Sequence, residues 1–363
     1  MTAALSPVLL LPVATALALF LALYLTPVII RAAERYHIVD RPDGKLKTQR
    51  AAVPYLGGLA VFLSFLATVA IVHPLESRIL AILLAASIVV CFGLVDDLGT
   101  LVPKDKLIGQ LIAAFVAVRA GVHVQFEFLP DLVDQAISVF WLVAIINAFN
   151  IIDVHDGLCT GLAAIATAFF GVFAVLQQET LVAVLCAALF GALLGFLRYN
   201  FPPARIYLGD TGSMLIGLVL GALAMIDDYS TVNPFAAAFS PLAVLAVPLF
   251  DMGFVVLARV ANGQPFYYGS PDHFAVRLRL RGIGARRIAL GSYLAAAVFG
   301  ALALIAAYSP TLPAVIIIGA SVVAFAVAVA LLWRLDPRRL PAAPSASEVA
   351  ATAPPPALSD RLR

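Results

Sequence analysis

Five aspartates stand out in a chain with few charges. They lie in "VDDLGTLVPKDK" (Asp96 and Asp97), "NAFNIIDVHDGL" (Asp153 and Asp156) and "IYLGDTGS" (Asp210). Carboxylates that converge repel one another. The usual remedy is a divalent cation, and Mg²⁺ prefers carboxylate oxygens together with substrate phosphates. Lys106 at the end of the first stretch, and His273 and Arg277 in "PDHFAVRL", add groups able to hold phosphate charge. "GDTGS" offers an acid, a hydroxyl and small residues at a helix start, where backbone N–H groups can approach an anion. Each motif alone has a plainer reading. Gly-Asp at a helix start is commonly an N-cap. Asp153 and Asp156 share one face if the helix continues, which would make them caps of the next segment. Asp251, inside "VPLFDMGFVV", is as consistent with a hydrogen bond to a neighbouring helix as with function. The coincidence of several polar clusters, not any one of them, favours a site.

These residues need a scaffold, and composition says which kind. The chain has 363 residues, of which 63% are hydrophobic and only 12% charged. Its mean hydropathy is +1.02, whereas a soluble domain is nearer half apolar and a quarter charged. The apolar residues come in runs about as long as a bilayer is thick. The expected fold is therefore all-α: a polytopic integral membrane protein of about 11 transmembrane helices, with ten as the near alternative. The runs are 8–30, 55–73, 78–95, 107–122, 132–152, 158–176, 181–199, 211–227, 236–258, 288–308 and 312–333. The first has no basic segment before it and reads as a retained anchor, not a cleaved signal. Residues 1–340 form one transmembrane domain. Residues 341–363, rich in Pro, Ala and Ser, are expected to be a disordered cytoplasmic tail. Cys91, Cys159 and Cys186 show no metal-ligand spacing and read as small buried hydrophobes.

Lysine and arginine set the orientation. All of them except Arg78 and Arg119 follow odd-numbered segments or lie in the tail, while the even-numbered loops carry Glu76, Glu127, Asp131, Glu179, Asp227 and Asp228. The positive-inside rule then places the N-terminus outside and the C-terminus in the cytoplasm. The aspartate clusters fall on the cytoplasmic side by the same parity.

The motifs "DRPDGKLKTQRAAVPYLGGLAV", "VDDLGTLVPKDKLIGQ", "NAFNIIDVHDGL" and "IYLGDTGSMLIG", in that order, resemble those of the polyprenyl-phosphate sugar-1-phosphate transferases. That family includes undecaprenyl-phosphate GlcNAc-1-phosphate transferases and phospho-MurNAc-pentapeptide transferases. The resemblance runs from about residue 26 to about residue 287. It implies transfer of a sugar 1-phosphate from a UDP-sugar to a polyprenyl phosphate, with release of UMP. Mg²⁺ would be the cofactor, with Mn²⁺ as an alternative. It further implies a multi-pass protein of the bacterial inner membrane, working on the cytoplasmic face at the first membrane step of cell-surface polysaccharide assembly.

Residue by residue, the resemblance makes Asp96, Asp97 and Lys106 catalytic, and Asp210 and Asp97 metal-binding. Asn147, Asn150, Asp153, Asp156, Asn200, Tyr207, His273 and Arg277 become substrate-binding. Asp156 matches the position that contacts uracil, and Tyr207 replaces a phenylalanine that would stack on it. Gly57 and Gly58 match a small pair that begins the second segment. No nucleic-acid partner is implied, and a homodimer is left open.

The chain departs from the family pattern at Val154, where a glycine is usual, and at Val276, where a second histidine is usual. The triple histidine of the MurNAc-pentapeptide enzymes is missing, which favours the GlcNAc-type branch. Rival classes fit less well. A secondary transporter would place carboxylates near the membrane midplane. An intramembrane aspartyl protease would need Gly-x-Gly-Asp, whereas Asp210 follows Tyr-Leu-Gly. "DVHDG" mimics part of a CDP-alcohol phosphotransferase motif, but the downstream paired aspartates are missing.

Overall fold

The computed structural model describes residues 7–40, 52–99, 101–126, 129–226, 234–265 and 272–335. The expected tail, part of the basic segment 31–54, Glu127, Asp227 and Asp228 lie outside the described residues.

All eleven apolar segments fold as helix. They are α1 (Pro7–Arg35), α2 (Gly57–Val72), α3 (Ser77–Asp97), α4 (Pro103–Arg119), α5 (Asp131–Ile152), α6 (Leu158–Leu176), α7 (Thr180–Asn200), α8 (Gly209–Ile226), the pair α9 (Pro234–Val244) and α10 (Ala246–Ala261), then α12 (Ala285–Ala307) and α13 (Thr311–Trp333). A short α11 (Phe274–Leu280) lies in the last polar loop. Among the described residues, eight helices are long and apolar enough to cross a membrane, or nine if the α9–α10 pair is one span. The expected count of eleven therefore holds for the segments and not for uniform spans. Helices α2 and α4 have only 16 and 17 residues.

The ninth segment is broken at Leu245, where α9 and α10 meet at 78°. Pro248 explains the position of the break. It has no N–H to give the Val244 carbonyl, so the helix cannot run straight through. Helix α4 starts earlier than its apolar run, because Pro103 suits a first helical position. That start brings Lys106 into the first turns of the helix.

The outer faces carry Phe20, Phe140, Leu132, Leu294, Leu312 and Val323 exposed. In water such a surface would drive association; in lipid it is at ease. Helix α13 is the extreme case, with 6% of its apolar window buried. Inside, helices approach through small residues, as is usual in membranes. Helix α1 packs along α7, and α8 packs against α2, α3 and α5. A Cβ on Gly58 would lie 2.1 Å from the Gly212 nitrogen of α8, and one on Gly93 would lie 2.6 Å from Thr211 Cα. Helix α8 is therefore wedged between α2 and α3 at backbone contact.

A two-stranded ladder joins α1 to α2. β1 (Val39–Asp40) pairs antiparallel with β2 (Val53–Pro54). The chain after β2 is stitched to the approach to α8: Tyr207 N–H donates to the Pro54 carbonyl at 2.9 Å, Gly57 N–H to Tyr207 at 3.0 Å and Gly58 N–H to Leu208 at 2.8 Å.

The close approach gives a direct test. Gly58→Ala should destabilise the purified protein by about 1–3 kcal/mol, the cost of overpacking. Gly319→Ala, with open space around it, should leave the thermal melt unchanged. Equal melts for both variants would contradict the wedge.

Candidate active site

The site begins with how α8 starts. Gly209 takes φ +72°, a left-handed conformation that glycine adopts without strain. A Cβ there would also strike the Asp97 carboxylate at 2.6 Å. That carboxylate, on the last residue of α3, caps α8 from outside. It accepts hydrogen bonds from Asp210 N–H at 2.7 Å, Thr211 N–H at 3.1 Å and Thr211 Oγ1 at 2.6 Å. The first N–H groups of a helix have no intrahelical partner and carry partial positive charge, so an anion fits them well. Asp96 and Asp97 thus close a helix and do not sit in a loop. Asp210 is not the N-cap of α8, which leaves its side chain free for other partners.

Those partners come from two more helix ends. Lys106 Nζ donates to Asp210 Oδ2 at 2.5 Å and to Asp96 Oδ2 at 2.9 Å. Asn150, near the end of α5, donates to Asp210 Oδ1 at 2.5 Å and to Ser213 Oγ at 3.0 Å. One turn earlier, Asn147 donates to Gln110 Oε1 at 2.7 Å and to the Val143 carbonyl at 2.8 Å. Helices α3, α4, α5 and α8 therefore meet through polar side chains at one end of the bundle.

Helix α5 stops at Ile152, and residues 153–157 turn back to α6. Asp153 and Asp156 consequently do not share a helical face. Val154 N–H bonds the Ile152 carbonyl at 2.8 Å, and Gly157 turns left-handed at φ +70°. Asp153 has no hydrogen-bond donor among the described residues. Burial, and then the charges of Asp210, Asp97 and Asp156, hold its carboxyl well above the usual carboxylate range. Asp156 Oδ2 accepts from Ala204 N–H at 2.9 Å. His155 is drawn to the Ala275 backbone, its Nε2 is buried without a partner, and burial pushes its imidazole down.

Asn200 sits behind this turn, buried. Its Oδ1 accepts from Gly157 N–H at 3.1 Å and from Thr160 Oγ1 at 2.9 Å, and its Nδ2 donates to the Ile206 carbonyl at 2.9 Å. It locks two loops together. Two residues that the sequence patterns do not single out brace the same loops. Tyr293 donates to the Gly157 carbonyl at 2.5 Å, and Arg286 to the Pro202 carbonyl at 2.8 Å.

On the opposite rim, Tyr207 and Tyr55 stand 6.2 Å apart between ring centroids, tilted by 52°. The Tyr55 hydroxyl is bonded to Asp40. Burial, that bond and the Asp97 and Asp210 charges push its phenol up, so it borders the acidic cluster. In the α11 segment, His273 Nδ1 meets Asp251 Oδ2 at 2.9 Å. Arg277 is buried and committed. It bonds Asp272 Oδ1 at 2.8 Å and the Leu332 carbonyl at 3.0 Å, and it lies 4.7 Å above the Phe254 ring. With the bond from its Nε to the Asp272 carbonyl, these contacts use three of the five guanidinium N–H groups of Arg277 and make it a brace between α10, α11 and the end of α13.

Among the described residues, no three Asp, Glu, His or Cys side chains converge in a metal-coordinating set. Mg²⁺ does not need one, since it commonly takes one or two carboxylates and completes its shell with water and substrate phosphates. Asp153, without a donor, and Asp210 beside it fit that requirement. Asp97, the other expected metal ligand, has both oxygens hydrogen-bonded to the start of α8, as Asp210 has its two bonded to Lys106 and Asn150.

The chain has known relatives. Residues 79–228 match the family model described as glycosyl transferase family 4. The chain is 33% identical over 302 residues to a probable undecaprenyl-phosphate N-acetylglucosaminyl 1-phosphate transferase of Bacillus subtilis (strain 168), spanning 81% of this chain and 84% of that protein. It is 33% identical over 326 residues to a decaprenyl-phosphate N-acetylglucosaminephosphotransferase of Mycobacterium leprae (strain TN), spanning 78% and 81%. A phospho-N-acetylmuramoyl-pentapeptide-transferase of Bacillus cytotoxicus is 33% identical over a shorter 211 residues, 51% of this chain and 65% of that protein.

Two stability measurements check the geometry. Asn200→Ala orphans two buried donors and a carbonyl, and should cost about 2–4 kcal/mol; an unchanged melt would contradict the lock. For Asp153, the raised folded-state pKa means that its burial becomes more costly as pH rises above the unfolded value of about 3.9. In chelator at neutral pH, Asp153→Asn should therefore melt higher than the parent, and the gap should close toward pH 4. A lower melt for Asp153→Asn at neutral pH would show that the carboxylate is compensated.

Proposed function

Because this chain belongs to the polyprenyl-phosphate sugar-1-phosphate transferases, we propose that it moves a HexNAc 1-phosphate, GlcNAc 1-phosphate foremost, from a UDP-sugar to undecaprenyl phosphate and releases UMP. In coarser terms, it is a multi-pass membrane transferase that places a sugar phosphate on a polyprenyl phosphate. What supports the finer reading is the meeting of Asp96, Lys106, Asn150, Asp153 and Asp210 from four helix ends at one end of the bundle.

In this reaction an oxygen of the lipid phosphate attacks the sugar-side phosphorus of the donor. One P–O bond forms, the P–O bond to UMP breaks, and UMP leaves with the bridging oxygen. Both reactants are anions, so catalysis is mostly charge neutralisation and alignment. Lys106 is held between two carboxylates at the site and supplies a cation for the phosphates. Asp96 has Lys106 as its ion-pair partner and is the freer of the aspartate pair to accept a residual proton from the lipid phosphate. Asp97 acts one step removed: it fixes the start of α8 and so aims Asp210. Asn150 fixes the other Asp210 oxygen. Asp210 and Asp153 would hold Mg²⁺, or Mn²⁺, which would neutralise charge on the donor's pyrophosphate. Tyr207 and Tyr55 offer an aromatic wall for uracil, with the second oxygen of Asp156 available to its edge.

An apolar groove of about 360 Å³ between α10, α12 and α13 is lined by Phe250, Phe274, Phe299 and Phe325, with Arg287 at its polar edge. It suits an isoprenoid whose phosphate lies at the membrane surface. The distribution of basic residues supports a cytoplasmic site in a bacterial inner membrane. The transporter reading is not favoured, since the carboxylates cluster at helix ends and the relatives are transferases.

The deciding assay uses the purified protein with undecaprenyl phosphate, Mg²⁺ and a panel of UDP-sugars. UMP release should depend on the lipid and be strongest with UDP-GlcNAc, and Asp210→Asn should reduce it by about 100-fold or more. No lipid-dependent UMP from any UDP-sugar would overturn the proposal.

A further inference from the structure

Asp251 lies in α10, one and a half turns past the bend, and is 0% exposed. A carboxylate buried so completely is costly unless it is hydrogen-bonded and paired. Its two oxygens are used on consecutive residues at the start of α11. Oδ2 meets His273 Nδ1 at 2.9 Å, and Oδ1 accepts from Phe274 N–H at 3.0 Å. The bond fixes which imidazole nitrogen carries hydrogen on the Asp251 side, and the ring's orientation with it. Nε2 is then turned away from α10, and no protein group bonds it among the described residues. Unlike Nε2 of His155, it is not enclosed.

The His155 side chain, on the turn between Asp153 and Asp156, is bonded to the backbone of Ala275, two residues after His273, so the start of α11 lies beside the acidic cluster. Arg277, one turn along α11, is buried and bonded to Asp272 and Leu332 above the Phe254 ring. Among the described residues, His273 Nε2 is thus an unbonded ring nitrogen at the start of this segment.

We propose that Asp251 is a positioning residue for the donor. It locks His273 so that Nε2 hydrogen-bonds the sugar-phosphate end of the nucleotide-sugar, and it never touches the ligand itself. This rests on the UDP-sugar reading above. The bend at Leu245 gains a use in this account: it redirects α10 so that a residue on a membrane helix reaches back to a polar loop.

The test compares binding of UDP-GlcNAc and of UMP to the detergent-purified full chain by calorimetry, with thermal melts alongside. UMP lacks the sugar and its phosphate, so only UDP-GlcNAc reports on His273. Asp251→Asn keeps an acceptor for Phe274 N–H but turns an amide N–H₂ toward His273. It should weaken UDP-GlcNAc by about tenfold to a hundredfold and leave UMP unchanged. His273→Gln should give the same split, and the double variant should be no weaker than the weaker single.

Unchanged UDP-GlcNAc affinity in Asp251→Asn, an equal loss for UMP, or losses that multiply in the double variant would each overturn the proposal. If Asp251→Asn does not fold, His273→Gln alone decides, and wild-type affinity there overturns it. A parent protein that binds neither nucleotide would instead sink the proposed function, and this inference with it.

Discussion

The carboxylate of Asp97 on the open end of α8 is the contact on which the rest of the site depends. Three hydrogen bonds fix where α8 begins. The left-handed turn at Gly209 leaves room for the carboxylate, and the glycines at 58 and 93 let α2 and α3 close on the same backbone. With its backbone held by Asp97, Asp210 has no capping duty. Its side chain can then face Lys106 and Asn150, and through them the ends of α4 and α5. Asp97, which the resemblance makes catalytic and metal-binding, thus also holds another acid in place.

Charge balance gives the site its direction. Lys106 serves two carboxylates, Asp96 and Asp210, and its one positive charge cannot also neutralise Asp153. The protein alone therefore leaves an acidic deficit at the ends of α5 and α8. In a low-dielectric setting such a deficit is expensive, and a dication with phosphate oxygens would relieve it. Elsewhere the buried carboxylates have partners: Asp272 pairs with Arg277, and Asp251 accepts from His273 and from Phe274 N–H. The contrast separates the open centre from the bracing around it.

Much of this was legible in the sequence, for reasons that differ by feature. Apolar runs of membrane length located every helix but the short α11, because lipid permits little else. The break at Leu245 was missed although Pro248 marks it, since hydropathy does not register a missing N–H. Asp153 and Asp156 would share a helical face only if α5 continued, and it stops at Ile152. Long-range partners left no local trace. The bonds of Asn200 to Gly157, Thr160 and Ile206 join residues up to 43 positions apart. Tyr293 reaches Gly157 from a helix far along the chain, and no spacing rule would connect them. The bond from Arg277 to Leu332, 55 residues along the chain, left no local trace either.

The central claim is that the ends of α5 and α8 form a cation centre completed by the donor's phosphates. Electron paramagnetic resonance of Mn²⁺ with the purified protein tests it most directly. Adding UDP-GlcNAc should convert weak Mn²⁺ binding to tight binding at one equivalent, with phosphorus coupling from the nucleotide. Asp153→Asn and Asp210→Asn should each abolish that conversion. Tight single-site Mn²⁺ without nucleotide, or a nucleotide-dependent signal that survives both substitutions, would contradict the account.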